Sequence, residues 1–212
     1  MLTRLKICGV TSLEDALMLV DAGVNILGFN FYPGSPRYIP PNEAKNIGRQ
    51  LPFFVTKVGI LVKPTFIQTQ KTIKAGGIDA LQIYEPQDFK DYSEIQVPVI
   101  HVVRMGKEPE KIKLLPGYDM ILLDSFSAKQ FGGTGETFEW KTIPDFLPAN
   151  KLVLAGGIYP DNMKQALEQV RPAIVDVASG CEISPGKKDI KKVKNLVRQV
   201  YDFNIRNVTD GN

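Results

Sequence analysis

The chain has 212 residues, 43% of them hydrophobic and 23% charged, with 26 basic and 23 acidic side chains. That composition belongs to a folded globular domain, is too evenly charged for a dedicated nucleic-acid surface, and holds no run of about 18 apolar residues that could span a membrane. Two cysteines and one histidine exclude a disulfide framework, a zinc site and any multi-histidine metal centre. The opening Met1–Gly9 lacks an apolar h-region, so the expected location is the reducing cytoplasm.

Short β-branched runs alternate with amphipathic stretches. A strand over Leu5–Cys8 comes first. Ser12-Leu-Glu-Asp15 then has the spacing of a capping box and opens a helix through Ala22, stopped by Gly23. Further strands are expected at Ile26–Phe31, Lys57–Val62, Ala80–Tyr84, Val97–Val103, Met120–Asp124, Lys151–Ala155 and Ile174–Ala178. Helices are expected at Asn42–Arg49, Thr65–Ala75 (closed by Gly76-Gly77), Gln87–Ile95, Glu108–Leu115, Phe138–Phe146, Asp161–Val170 and Asp189–Phe203. The basic cluster Lys187, Lys188, Lys191, Lys192 and Lys194 reads as a solvated helix face.

Eight strand–helix pairs in strict alternation require a parallel sheet, because each right-handed crossover returns the chain to a parallel neighbour. The expected fold is α/β, a single-domain (β/α)8 TIM barrel over residues 1–206 with a polar tail at 207–212. An open doubly wound sheet is the alternative, but the turn after the first strand is Cys8-Gly-Val-Thr11 and lacks the glycine-rich fingerprint of that fold.

Barrel chemistry sits at the carboxyl ends of the strands. Cys8 ends the first strand and Asp124 the sixth, and Arg37 lies in the proline-stiffened loop after the second, where a guanidinium suits a two-pronged grip on a carboxylate. Gly156-Gly157 and Ser179-Gly180 follow strands seven and eight, the usual place for phosphate held by backbone amides. Strand parity puts Lys6 on the face of Cys8 and suggests that Lys6 pairs with Asp176 across the closing strands, because an unpaired buried charge is very costly. Asp124 lies before a long glycine-rich loop, Phe131-Gly-Gly-Thr-Gly135, which reads as a lid and makes Asp124 a general-acid candidate. His101, mid-strand, reads as a core residue, Cys181 as structural, and Trp140 as packed on the sixth helix.

Several segments together resemble the phosphoribosylanthranilate isomerase family of tryptophan biosynthesis. They are Lys6-Ile-Cys-Gly-Val-Thr11, Gly28-Phe-Asn-Phe-Tyr-Pro-Gly-Ser-Pro-Arg-Tyr-Ile39, Leu122-Leu-Asp-Ser125, Leu154-Ala-Gly-Gly-Ile158 and Val175-Asp-Val-Ala-Ser-Gly180 with Pro185-Gly-Lys187. The resemblance implies an Amadori rearrangement of a phosphorylated small molecule, with Cys8 as general base, Asp124 as general acid, Arg37 on the anthranilate carboxylate and the two glycine loops on the phosphate. It implies no cofactor and no metal, no nucleic-acid or membrane partner, and either a monomer or a homodimer. Two positions depart from the family pattern. Leu81-Gln-Ile-Tyr-Glu85 stands where L-Q-L-H-G is common, and Gly34 where lysine is frequent. The alternatives are a related phosphoribosyl isomerase of histidine biosynthesis and a non-catalytic phosphosugar-binding barrel.

Overall fold

The computed structural model describes residues 1–88, 90–106, 112, 114–125 and 137–209. Its strands are β1 (Arg4–Cys8), β2 (Ile26–Asn30), β3 (Thr56–Val62), β4 (Ala80–Tyr84), β5 (Val99–Met105), β6 (Met120–Ser125), β7 (Leu152–Leu154) and β8 (Ile174–Val177). Each pairs in parallel with the next, and β8 returns to β1, so the barrel is closed as expected. The chain ends tie this closure: Thr3 donates its hydroxyl to Pro172 O at 2.7 Å, and Asn204 bonds the backbone of Thr3 in both directions.

The outer helices are α1 (Leu13–Asp21), α2 (Pro41–Gly48), α3 (Phe66–Gly76), α4 (Pro160–Val170) and α5 (Ile190–Thr209). Their ends carry the expected signals. Ser12 Oγ accepts the Asp15 N–H, Thr65 and Gln68 form a reciprocal capping box, and Gly77 closes α3 at φ +57°, a conformation that costs a residue with a Cβ.

Two expected helices do not form. Over 87–95 the described residues turn instead: Asp91 accepts both the N–H and the hydroxyl of Ser93, at 2.8 and 2.6 Å, and Asp88 accepts the Phe66 N–H. Short polar side chains that bond locally give the backbone an alternative to helix. Over 138–146 only a single 3-10 turn, Trp140–Thr142, is present. Pro144, which supplies no donor, bars its extension. Trp140 packs on the shell core from this turn rather than from a helix. The expected helix at Glu108–Leu115 and the Phe131–Gly135 lid lie outside the described residues, the former in large part.

At the other end α5 runs past Phe203 to Thr209, taking in the start of the expected tail, because Phe203 is buried and Asn207 bonds back to its carbonyl. A hairpin that was not expected, β9 (Glu182–Ser184) with β10 (Lys187–Lys188), follows β8. It corrects the reading of the basic cluster: Lys188 is buried, while Lys187, Lys191 and Lys194 remain exposed.

Alternation along the strands sorts the core into two layers. Leu5, Ile7, Leu27, Phe29, Leu81, Ile83, Val175 and Val177 pack outward against the helices. Ile26, Ile60, Ala80, Ile100, Val102, Leu122, Val153 and Ile174 fill the barrel, with Cys8 packed on them from above. Each fully buried aliphatic side chain contributes about 1.5–3 kcal/mol. The same parity turns the polar residues at strand ends into the barrel mouth.

Candidate active site

That mouth forms one pocket, lined by Cys8, Arg37, Asp124, Asp176, Gly156, Gly157 and Ser179, together with Gln82 and Tyr84. The structure thus brings together most of the residues expected from the sequence. Lys6 lies just beneath. Gly180 does not line the pocket: a Cβ there would collide with the carbonyl of Ile158, so its role is to let the loops after β7 and β8 touch. A wider groove between α4 and α5 holds none of these groups.

Lys6 and Asp176 sit opposite each other in the β1–β8 register, and the ammonium lies 2.8 Å from Asp176 Oδ2, with both side chains buried. Burial alone would lower the Lys6 pKa, but Asp176 and then Cys8 outweigh it and hold the lysine charged. Asp176 Oδ1 is buried without a hydrogen-bond partner among the described residues.

The Cys8 sulfur and the Lys6 ammonium share a space that exists because residue 28 is glycine. A Cβ at Gly28 would fall 3.0 Å from Sγ and 3.1 Å from Nζ. Burial pushes the thiol above its ordinary 9.0. Lys6, and further off Lys188 and Arg37, pull it down, and Asp176 opposes them.

Asp124 is 2% exposed. Burial raises its carboxyl to about 6, against the Tyr84 hydrogen bond, a Ser125 backbone N–H and Arg104, while Asp176 adds to the rise. Near neutrality Asp124 therefore keeps a protonated fraction that an exposed aspartate lacks. The Tyr84 hydroxyl donates to Asp124 Oδ2 at 2.9 Å and lies 3.3 Å from Gln82 Nε2, which donates to it. Gln82 Oε1 is buried without a hydrogen-bond partner among the described residues.

Arg37 lies across Gly9, where a Cβ would come within 2.5 Å of its Cδ. Ser35 Oγ accepts both the Arg37 N–H and the Asn30 amide at 3.1 Å, which shapes the loop from β2. The guanidinium is already gripped by Glu182, with Nη2–Oε2 at 2.7 Å and Nε–Oε1 at 2.9 Å. Lys188 Nζ bonds the same carboxylate at 2.7 Å and the Cys8 carbonyl at 2.6 Å. Two cations on one carboxylate leave this buried wall of the mouth with a net positive charge, suited to an anion. Glu182 is held ionised, since Arg37 and Lys188 overcome the effect of burial.

Sequence reading missed Glu182, Lys188 and Gln82. Nothing in a lone Glu182 marks it, since it reaches the site only through the β9–β10 hairpin. Gln82 and Tyr84 could have been found, because they are alternate residues at the end of a strand whose inward face strand parity defines. His101 is a core residue as expected, 2.8 Å from the Tyr92 hydroxyl, and Cys181 is fully buried behind the β8 loop.

An acid and a thiol aimed inward over glycine loops, at the carboxyl end of a parallel barrel, define a phosphate-binding (β/α)8 enzyme of the sugar-isomerase type. Comparison with known proteins narrows that class. The family described as N-(5′-phosphoribosyl)anthranilate (PRA) isomerase matches residues 5–199, and the chain belongs to it. An N-(5′-phosphoribosyl)anthranilate isomerase of Geobacter sp. (strain M21) is 42% identical over 200 residues, covering 93% of this chain and 98% of its own. The phosphoribosyl anthranilate isomerase of Thermus thermophilus superposes with a TM-score of 0.82 at 31% identity, over 94% of this chain and 98% of its own. A phosphoribosyl anthranilate isomerase crystallised with reduced 1-(o-carboxyphenylamino)-1-deoxyribulose 5-phosphate superposes with a TM-score of 0.75 at 32% identity, over 95% of this chain and all of its own.

Proposed function

We propose that Cys8 and Asp124 carry out the isomerisation of N-(5′-phosphoribosyl)anthranilate that family membership assigns to this chain, in tryptophan biosynthesis. The observation that carries the assignment is their convergence on one pocket, with Lys6 beneath the sulfur and Tyr84 on the carboxyl.

The reaction is an Amadori rearrangement. Protonated Asp124 gives its proton to the furanose ring oxygen as the C1′–O bond breaks, which leaves a protonated Schiff base to the anthranilate nitrogen. Cys8, as thiolate, takes the C2′ proton, and the electron pair flows into the imine to give an enolamine. Tautomerisation then yields the ketone, 1-(2-carboxyphenylamino)-1-deoxyribulose 5-phosphate. No atom is gained or lost, and the iminium is itself the electron sink. Acid and base each contribute roughly 10²–10⁴-fold. The two unpaired buried acceptors, Gln82 Oε1 and Asp176 Oδ1, are placed to receive sugar hydroxyls.

The productive form has Asp124 protonated and Cys8 ionised. With the acid near 6 and burial pushing the thiol up, that combination is a minority form at every pH. The fraction climbs until Asp124 titrates, stays level, and falls once Cys8 has ionised, so the limb near pH 6 in kcat/KM belongs to the acid. Lys6 is what keeps the thiolate accessible at all.

Phosphate is held at Gly156, Gly157 and Ser179, where Gly156 and Gly157 adopt φ +82° and +61° and a Cβ at Gly156 would lie 2.5 Å from Ser125 N. Gly180→Ala is expected to push the two loops apart and raise KM about tenfold or more with a smaller change in kcat, measured by the loss of anthranilate fluorescence. An unchanged KM removes this loop contact from the phosphate site.

Arg37, with Glu182 and Lys188 behind it, holds the anthranilate carboxylate. Arg37→Met is expected to raise KM by roughly 10–100-fold, the loss of one charge-assisted contact of about 1.5–3 kcal/mol. A wild-type KM excludes Arg37 from the carboxylate site.

A Thermotoga maritima relative at 34% identity is described as dimeric, and this chain acts as a monomer or a homodimer on a phosphorylated small molecule. No helix among the described residues is long and apolar enough to cross a membrane. The cytoplasm suits the working thiol, which must stay reduced.

A further inference from the structure

The end of β4 carries Tyr84 where the family pattern has histidine, and the acid–base pair alone gives that tyrosine no role. The residue is 5% exposed, in a barrel mouth otherwise shaped for ligand. A buried phenol there needs hydrogen-bond partners, and it has them on both sides. Gln82 Nε2 donates to its oxygen at 3.3 Å, and its own proton goes to Asp124 Oδ2 at 2.9 Å. A phenol has one proton. With an amide N–H on one side and a carboxyl oxygen on the other, the direction of the chain Gln82 → Tyr84 → Asp124 is set. Oδ2 accepts from Tyr84, which favours placing the acidic proton of Asp124 on Oδ1.

We propose that Tyr84 is the positioning residue of the general acid: its hydroxyl orients the Asp124 carboxyl, biases the transferable proton toward the oxygen it does not bond, and stabilises the carboxylate left after transfer. This rests on Asp124 being the acid. As the ring oxygen takes the proton, negative charge develops on Asp124 in a buried site, and a fixed donor at 2.9 Å is strengthened by that charge without needing to reorganise. The hydrogen bond is therefore stronger in the transition state than in the ground state, which is the condition for raising kcat rather than lowering KM. An imidazole N–H is also a donor, which is why Tyr84→His belongs in the test.

The other groups that bear on Asp124 are Arg104, its register partner on β5, and Asp176 on β8, with the Ser125 backbone N–H beside it. Cys8 and Asp176 act on Tyr84 as well. None of them changes when the phenol loses only its hydroxyl. Tyr84→Phe deletes a donor to the carboxylate and an acceptor of Gln82 Nε2 while keeping the ring.

The test is Tyr84→Phe, Tyr84→His and Asp124→Asn in one fluorescence assay, with kcat, KM and the pH profile of kcat/KM recorded for each. Tyr84→Phe is expected to lower kcat about 10–100-fold with KM within about twofold. The limb near pH 6 should move to higher pH, because the carboxylate has lost a stabilising donor. The substrate's own titration is common to all variants and drops out of the comparison. Tyr84→His is expected to recover most of the lost rate. If Tyr84→Phe keeps the wild-type kcat and limb while Asp124→Asn is inactive, the Tyr84 proposal is overturned and the acid stands. If kcat falls but the limb stays, the hydroxyl acts other than through the charge on Asp124 and the proposal is overturned too. If Asp124→Asn retains activity, the acid assignment itself is lost.

Discussion

Serine in place of Cys8 is expected to lower kcat by about 10³-fold or more while KM changes less than about threefold. The base must give up a proton before it can take one from C2′. Lys6 and the more distant cations oppose the rise that burial imposes on the thiol, but an alcohol starts several units higher still and the same charges cannot bring it into range. Binding should survive, because Arg37 and the glycine loops that hold the two anionic ends of the substrate do not contact the sulfur through hydrogen bonds. Folding should survive as well. Serine is smaller than cysteine, and Lys6 and Asp176 remain paired at 2.8 Å. Cys8→Ala gives the comparison. Equal rates for the two variants show that the serine hydroxyl does no base chemistry, whereas turnover near wild type in Cys8→Ser removes Cys8 from the role.

The barrel was legible because burial imposes a period on sequence. Eight β-branched runs had to be strands, and connections long enough for crossovers between them leave a parallel, closed sheet as the economical topology, although two of those connections carry no α-helix over the described part of the stretches expected to form one. The inward-facing polar set was legible for the same reason. Lys6, Cys8, Asp124 and Asp176 follow from parity once the strands are placed, and the Lys6–Asp176 pair follows from closure between first and last strands. What parity does not reach is loop-borne structure. Glu182 and Lys188 enter the site on a hairpin held by Gly186 and by contacts to residues nearly the whole chain away, such as Lys188 N to Asp15 Oδ2. The helix expected at 87–95 failed for a local reason, since Asp91 satisfies the Ser93 N–H that a helix would have used, while Asp88 is engaged at the start of α3 by the Phe66 N–H. Arg37 is expected on a substrate carboxylate, and the carboxylate it meets within the protein is Glu182. That pairing fixes the guanidinium in place while Lys188 supplies the compensating charge.

Asp124→Asn is expected to do two opposite things at once: to lower kcat about 10²–10⁴-fold and to make the protein more stable at pH 8. The first follows because an amide has no proton to give. The second follows from the cost of burying an anion. In the unfolded chain the carboxyl titrates near its ordinary 3.8, and in the fold near 6. Below about pH 3.8 both forms are protonated and the residue costs nothing. Between the two values the unfolded chain has released its proton while the fold still holds it, so stability falls as pH rises. Above 6 the penalty is complete, about two pH units or roughly 3 kcal/mol. Asparagine removes that penalty and its oxygen still accepts from Tyr84, so the tyrosine hydroxyl keeps its partner. For a chain of this size, 3 kcal/mol corresponds to a Tm increase of roughly 6–12 °C at pH 8. The gain should shrink as pH is lowered through 6 and vanish near 4. Thermal unfolding of the two proteins across that range reads it directly. A gain independent of pH would assign the effect to packing instead of to the charge. Loss of both activity and stability would mean that the carboxylate is a structural partner rather than a strained acid kept for its proton.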